Sequence, residues 1–342
     1  MGKKPSVRGA SPYHARVKPF PKIELHVHLE ATVAPELLLR IARRNGVSLP
    51  AETAEELREL CRFRDFGHFI EVWIATTRAL QHADDFREIT VAYAAEAKRH
   101  GAVYLEAIFS PAEPVRRAAA WDEVFEGYCD GIAQAREELG VEMRLTPDIP
   151  RSFTLEEGLE TARQAIHFRD RGVVGLGLGG LEAQHPPEPW APAFELARDG
   201  GIASVPHAGE VAGPDSIRGA LEALGADRIR HGVRAIEDPA LVRELVERGV
   251  VLDVTPISNL RTGVYASLGE HPLPALVEAG VRCSISTDDP VLFDTDLTRE
   301  YEAVVSLGLS PRSIFDAGVE GALCDDVQRE VLRQVADATD WG

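Results

Sequence analysis

The chain has 342 residues, 44% hydrophobic and 27% charged, with a formal net charge of −18. That length can bury a large core, while the acidity argues against a nucleic-acid binder, which needs a basic face to meet phosphates, and against a polyanionic substrate. The four cysteines (Cys61, Cys129, Cys283 and Cys324) form no C-x-x-C pair, which argues against a disulfide framework or a thiolate zinc site and points to a reducing cytoplasm.

Residues 1–19 are basic and lack the apolar segment of a signal peptide, so they read as a flexible tail. One domain is expected over 20–342. No apolar run approaches the length of a membrane span.

From residue 20 onward, strand and helix candidates alternate. The strands are read at Lys22–Leu29, Val103–Phe109, Glu142–Asp148, Val173–Gly179, Ile202–His207, Arg228–Val233, Val250–Thr255 and Val281–Thr287. Most are short apolar runs, as strands covered on both faces require. Between the first two lies a long helical insertion, roughly 34–101. Its apolar cluster of Phe63, Phe66, Phe69, Ile70, Val72 and Trp73 fits an extra helix pair packed on the core, a lid over a ligand pocket, or both.

Later in the chain, Thr154-Leu-Glu-Glu157 opens a helix with a capping box. Helices at Pro239–Arg248 and His271–Ala279 end at Gly249 and Gly280, where C-terminal glycines belong. Ser310-Pro311 is an N-cap followed by proline at the first helical position. Residues 296–340 read as further helices. Eight strands, each followed by helix, predict an α/β fold of the (β/α)8 TIM-barrel class, with extra helices inserted between strands 1 and 2 and after strand 8.

In such barrels the active site lies at the C-terminal ends of the strands. His26 and His28 end the first strand two residues apart, so both imidazoles point to the same side. His207 closes the fifth strand, His231 the sixth, and Asp288 and Asp289 the eighth. The remaining histidines, His14, His68, His82, His100, His167, His185 and His271, lack this coincidence of position and read as surface or hydrogen-bonded residues.

His26, His28, His207 and Asp288 make an N3O donor set that suits one Zn2+ per chain, with a water in the remaining position. Glu210, three residues beyond His207, is free to carry a proton. His231 can orient the attacking hydroxide, and Asp289 can hydrogen-bond a substrate ring nitrogen. Gly177, Gly179 and Gly180 either let the backbone approach a flat ligand or serve tight packing at a barrel corner. The chemistry these residues describe is metal-assisted hydrolysis.

The residues Pro21-Lys-Ile-Glu-Leu-His-Val-His-Leu29, His207-Ala-Gly-Glu210, Arg230-His231-Gly232-Val233-Arg234, Ser258-Asn259 with Thr262-Gly263-Val264, and Ser286-Thr-Asp-Asp-Pro290 resemble the adenosine deaminase family over about residues 20–335. The resemblance implies zinc on His26, His28, His207 and Asp288. It implies that Glu210 protonates N1 of an adenine ring while His231 and Asp288 orient the attacking hydroxide at C6. Asp289 would hold N7, and the Gly180 backbone would meet N3. The fourth strand lacks the lysine with which related amidohydrolases bridge two metals, which implies a single ion. The partner implied is a small purine nucleoside; oligomeric state stays open.

Two departures bear on substrate. Where the family has Leu-Asp-Gly, this chain has Leu29-Glu30-Ala31. The family's aspartate lies near the ribose 5′ group, so Glu30 implies an altered 5′ end or a smaller substrate such as adenine. Gly177-Leu-Gly-Gly-Leu-Glu182, Ser204–Glu210 and the segment 63–72 resemble actinobacterial-type aminodeoxyfutalosine deaminases, whereas Thr262-Gly263-Val264 and Ser267-Leu268 resemble bacterial adenosine deaminases. Adenosine, a 5′-modified adenosine and adenine all remain open. So do another mononuclear amidohydrolase activity and a deaminase-like barrel that binds without turnover.

Overall fold

The computed structural model describes residues 20–63 and 66–341. The expected tail lies outside the described residues, as do the side chains of Phe66 and Ile70. The strands are β1 (Lys22–His28), β2 (Ala102–Phe109), β3 (Glu142–Pro150), β4 (Gly175–Gly179), β5 (Ala203–Ser204), β6 (His207–Ala208), β7 (Arg228–His231), β8 (Val251–Val254) and β9 (Arg282–Ile285). All pair in parallel, in the orders β1-β2-β3-β4-β5 and β6-β7-β8-β9.

Two local features join these sheets into one barrel. β5 and β6 are halves of the strand expected at 202–207, interrupted at Val205-Pro206. Proline has no N–H for the ladder, but its carbonyl still accepts from Arg230 N–H at 3.0 Å. At the other seam, Val27 pairs with Asp288 just beyond β9. The Asp288 N–H donates to the His26 carbonyl at 3.1 Å, and the His28 N–H donates to the Asp288 carbonyl at 2.9 Å. The fold is the expected α/β barrel.

Most strands are shorter than read from hydrophobicity alone, whereas β2 starts one residue earlier, at Ala102, and β3 runs on to Pro150. Val233 falls outside β7 because Gly232 turns left-handed at φ 68° and starts a 3-10 turn. The helix expected at 271–279 runs Leu273–Glu278, and Gly280 follows it with φ 93°. The Thr154 capping box is formed, with both reciprocal bonds present. Ser310 occupies its N-cap position, but its hydroxyl accepts no amide.

The insertion folds as helices Pro35–Arg44, Ala54–Leu60, Phe66–Thr77 and Ala83–Arg99. Phe69 stacks on Phe293 with ring centroids 5.4 Å apart, and Phe63 meets both rings edge-on. Val72, Leu292 and partly buried Trp73 complete this cluster. The insertion therefore packs directly on the segment that follows Asp288 and Asp289. This contact serves the packing role expected of the insertion.

At the opposite, N-terminal end of the barrel, Arg228 is fully buried between Glu106 at 2.7 Å and Asp253. This cluster lies away from the C-terminal face, where barrels of this class carry their chemistry. Among the described residues, no helix is long and apolar enough to cross a membrane.

Candidate active site and metal centre

β1 runs straight into the site, and its two-residue side-chain period puts His26 and His28 on one side. The Nε2 atoms of both lie 3.3 Å from Asp288 Oδ1. The His28 and His207 Nε2 atoms are 3.2 Å apart. Donor atoms of His26, His28, His207 and Asp288 all fall within 4.8 Å of one another. Four residues from three distant parts of the chain thus meet at one point.

The outer hydrogen bonds decide which nitrogen of each ring faces inward. His207 Nδ1 lies 3.1 Å from the Leu178 carbonyl, an acceptor only, so it carries the proton and leaves Nε2 with a bare lone pair. His26 Nδ1 lies 3.4 Å from the Asp253 carbonyl, and its Nε2 is buried without a hydrogen-bond partner. Burial holds His26 below the usual histidine range and His207 down at about 3. His28 differs: Asp289 and Asp288 outweigh its burial and raise it to about 9. Neutral inward lone pairs on His26 and His207, an orphaned buried nitrogen and an adjacent carboxylate are the donor chemistry of a divalent-metal site. The residues fit one such ion.

Asp288 adopts a left-handed backbone, φ 67°, as does His231, φ 64°. Such conformations are rare for non-glycine residues and concentrate at functional sites. Here the turn at Asp288 brings its carboxylate inward, where Ser258 Oγ donates to Oδ2 at 2.7 Å. Burial would raise that carboxyl, but His26, His28 and His231 hold it well below the ordinary range.

A second group surrounds the same aspartate. His231 Nε2 is 3.5 Å from Glu210 Oε2 and 3.8 Å from Asp288 Oδ2, while its Nδ1 meets Thr255 Oγ1 at 3.1 Å. Burial, with Asp288, Glu182 and Asp289 nearby, raises the Glu210 carboxyl well above its usual value. A carboxyl raised in this way is suited to act as a proton donor. Asp289 is raised likewise, by burial first, and its Oδ1 has no partner.

Glu30 stands one turn beyond β1. Its Oε1 accepts from Ser110 N–H at 2.7 Å, its Oε2 is buried and unpartnered, and burial raises its carboxyl. It lines a small cavity with Ala31, Val33, Leu38, Leu57 and Leu292. Gly180 has φ 102°, and a Cβ there would meet nothing closer than Arg151 N at 3.7 Å, so its edge is open. Gly177 and Gly179 serve the other purpose weighed for them. A Cβ on Gly177 would overlap Asp148 and Arg230, and one on Gly179 would come within 2.7 Å of Asp148 Oδ2.

Several residues around the site carried no role in the sequence reading. Glu182 is buried and accepts from the N–H groups of Gly209, Glu210, Val211 and Ala212 and from Ser216 Oγ. Its carboxylate thereby anchors the loop that carries Glu210. Asp148 and Arg230 form a buried ion pair behind His207. Their one visible signal was charge inside otherwise apolar strands.

The sequence model of the family described as adenosine deaminase matches residues 21–338. The chain belongs to the adenosine deaminase family. It is a hydrolase acting on C–N bonds, as that family is enzymatic. An aminodeoxyfutalosine deaminase from Acidothermus cellulolyticus is 51% identical over 332 residues, 95% of this chain and 93% of that protein. The crystal structure of an adenine deaminase from Arthrobacter aurescens superimposes with a TM-score of 0.88 at 31% identity, covering 93% of this chain and 98% of that one. An amidohydrolase from Burkholderia ambifaria with bound zinc gives 0.86 at 25% identity, covering 93% and 90%.

Proposed function

We propose that this protein hydrolyses the 6-amino group of an adenine nucleoside with an extended 5′ side, of the aminodeoxyfutalosine type, releasing ammonia and the inosine-type product. The observation that carries the chemistry is the Glu210–His231–Asp288 cluster: a carboxyl raised by burial, 3.5 Å from a histidine that also faces the candidate metal ligand.

His26, His28, His207 and Asp288 would hold the ion, which we assign as Zn2+. When bound, it supplies the Lewis acidity that lowers the pKa of water from about 15.7 towards about 7. Glu210 hands its proton to ring N1, which makes C6 electrophilic. His231 and Asp288 orient the attacking water and accept its proton. Oxygen bonds to C6, the C6–N6 bond breaks, and the amine leaves with that proton as ammonia, while the oxygen's remaining proton returns to Glu210 as the C6 carbonyl forms and N1 keeps the one it received. Asp289, whose carboxyl is raised by burial, is placed to hydrogen-bond N7, and the open edge at Gly180 faces N3. The Glu30 Oε2 atom accepts a hydrogen bond from the sugar side of the substrate.

The substrate choice rests on the 51% identity to the Acidothermus cellulolyticus protein over almost the full length of both chains. A second reading, free adenine, is favoured by the resemblance to the Arthrobacter aurescens enzyme. Ammonia release by the zinc-loaded protein should be compared for aminodeoxyfutalosine, adenosine, 5′-deoxyadenosine, S-adenosylhomocysteine and adenine. The highest kcat/KM is expected for aminodeoxyfutalosine. A preference for adenine overturns the substrate reading while leaving the deamination chemistry intact; release from none overturns both.

A further inference from the structure

We propose that Asp148 is a positioning residue for His207, reaching it from β3 through space left open by two glycines of β4. The inference rests on the reading of His207 as a metal ligand. His207 Nε2 faces the ligand cluster, so what orients the ring must act on Nδ1. Two acceptors lie there: the Leu178 carbonyl at 3.1 Å and Asp148 Oδ2 at 3.3 Å. Asp148 belongs to a strand separated from His207 by β4, and in the β3–β4 register it sits beside Gly177.

The path exists only because β4 has no side chains on that side. A Cβ at Gly177 would collide with the Asp148 carboxylate and the Arg230 guanidinium, and one at Gly179 would press on Asp148 Oδ2 at 2.7 Å. The other carboxylate oxygen, Oδ1, is engaged by Arg230 Nη1, and Arg230 Nη2 donates to Thr146 Oγ1 at 2.6 Å. Asp148 and Arg230 are both almost wholly buried. Oδ2 has no hydrogen-bond partner within the normal geometric range. The Nδ1 of His207 lies 3.3 Å from it and is shared with the Leu178 carbonyl.

A buried ion pair adds little net stability over well-packed apolar residues. Its placement behind His207 is therefore the informative feature. A carboxylate on Nδ1–H locks the tautomer, fixes the ring plane and makes Nε2 a stronger base toward a metal. By contrast, His26 has only a backbone carbonyl behind it, at 3.4 Å. Arg230 keeps Asp148 in place and ionised. The glycines of β4 are in this sense part of the metal site, although neither supplies a ligand.

The test is zinc affinity by chelator competition for the folded protein and for Asp148→Asn, Gly177→Ala, His207→Ala and Asp85→Asn. Asp85 is a buried carboxylate of the helical insertion, bonded to Arg44 and Asn45, and controls for general destabilisation. Asp148→Asn and Gly177→Ala should weaken zinc by ~10–100-fold, with a changed visible spectrum after cobalt substitution. Asp85→Asn should lower Tm alone. Wild-type zinc affinity in Asp148→Asn, with loss of metal in His207→Ala, overturns the inference and leaves the ligand reading standing. Full metal binding by His207→Ala overturns the ligand reading itself. Should the Asp148 and Gly177 variants not fold, 1H NMR of the wild-type zinc protein decides: the His207 Nδ1–H proton, shared with a carboxylate, is expected further downfield than that of His26, which meets only a carbonyl, and equal shifts overturn the inference.

Discussion

His28 and Asp288 are bound to each other twice. The His28 N–H donates to the Asp288 carbonyl at 2.9 Å, and the His28 Nε2 lies 3.3 Å from the same aspartate's Oδ1. The first contact is the seam that closes the barrel, and the second belongs to the candidate metal site. Closure of the fold and assembly of the site are one event.

Asp288→Asn, which tolerates the same left-handed backbone, should therefore separate the two. The backbone seam survives, because it uses no side-chain atom, whereas the carboxylate and the group that orients water are gone. Zinc content after dialysis should fall, and kcat should drop by about 10^3-fold, with the circular dichroism spectrum unchanged. Retention of stoichiometric zinc would remove Asp288 from the ligand set.

Glu210→Gln keeps the shape of the side chain and removes its proton transfer. Turnover should fall by ~10^2–10^4-fold, with zinc content and nucleoside affinity close to wild type. Near-normal kcat in the steady state would assign the N1 proton to another group.

Glu182→Gln tests the anchor of the catalytic loop. Gly209, Glu210, Val211 and Ala212 all donate backbone N–H groups to this one carboxylate. An amide offers one acceptor oxygen in place of two, and charge-assisted bonds of this kind contribute about 1.5–3 kcal/mol each. Tm should fall, and kcat should fall by about 10–100-fold as Glu210 loses its position, while zinc stays bound. A variant that is merely less stable, with full kcat, would confine Glu182 to a structural role.

Lys22 supplies a pH test away from the site. Its Nζ donates to the carbonyls of Phe20 at 3.1 Å and His100 at 2.7 Å. Burial lowers it from the ordinary 10.5 to about 8, against the opposing pull of Asp296 and Glu302. Between those values the unfolded chain binds more protons than the folded one, so this group makes stability rise with pH from about 8 to 10.5. The stability of wild type relative to Lys22→Met, from urea unfolding, should grow between pH 7.5 and pH 10. A constant difference would mean that Lys22 titrates normally.

The local sequence determined a great deal. The two-residue spacing of His26 and His28 puts both rings on one side of any strand, whatever the strand pairs with. The apolar runs ending at His207, His231 and Asp288 mark strand ends, where barrels of this class carry their chemistry. Short-range signals of this kind depend only on neighbours along the chain, and so they are legible in it. The capping box at Thr154 and the glycine after Arg248 belong to the same category.

What only the tertiary structure decided is contact between residues far apart in sequence. Nothing local reveals that Asp148 reaches His207 across β4, that Gly177 and Gly179 are space for that carboxylate rather than a surface for substrate, or that Glu182 gathers the amides of the 209–212 loop. Nor does it reveal that Pro206 splits one strand into β5 and β6. Periodicity encodes which face a residue takes. Strand register, set by closure of the barrel between Val27 and Asp288, decides which distant residue it meets there.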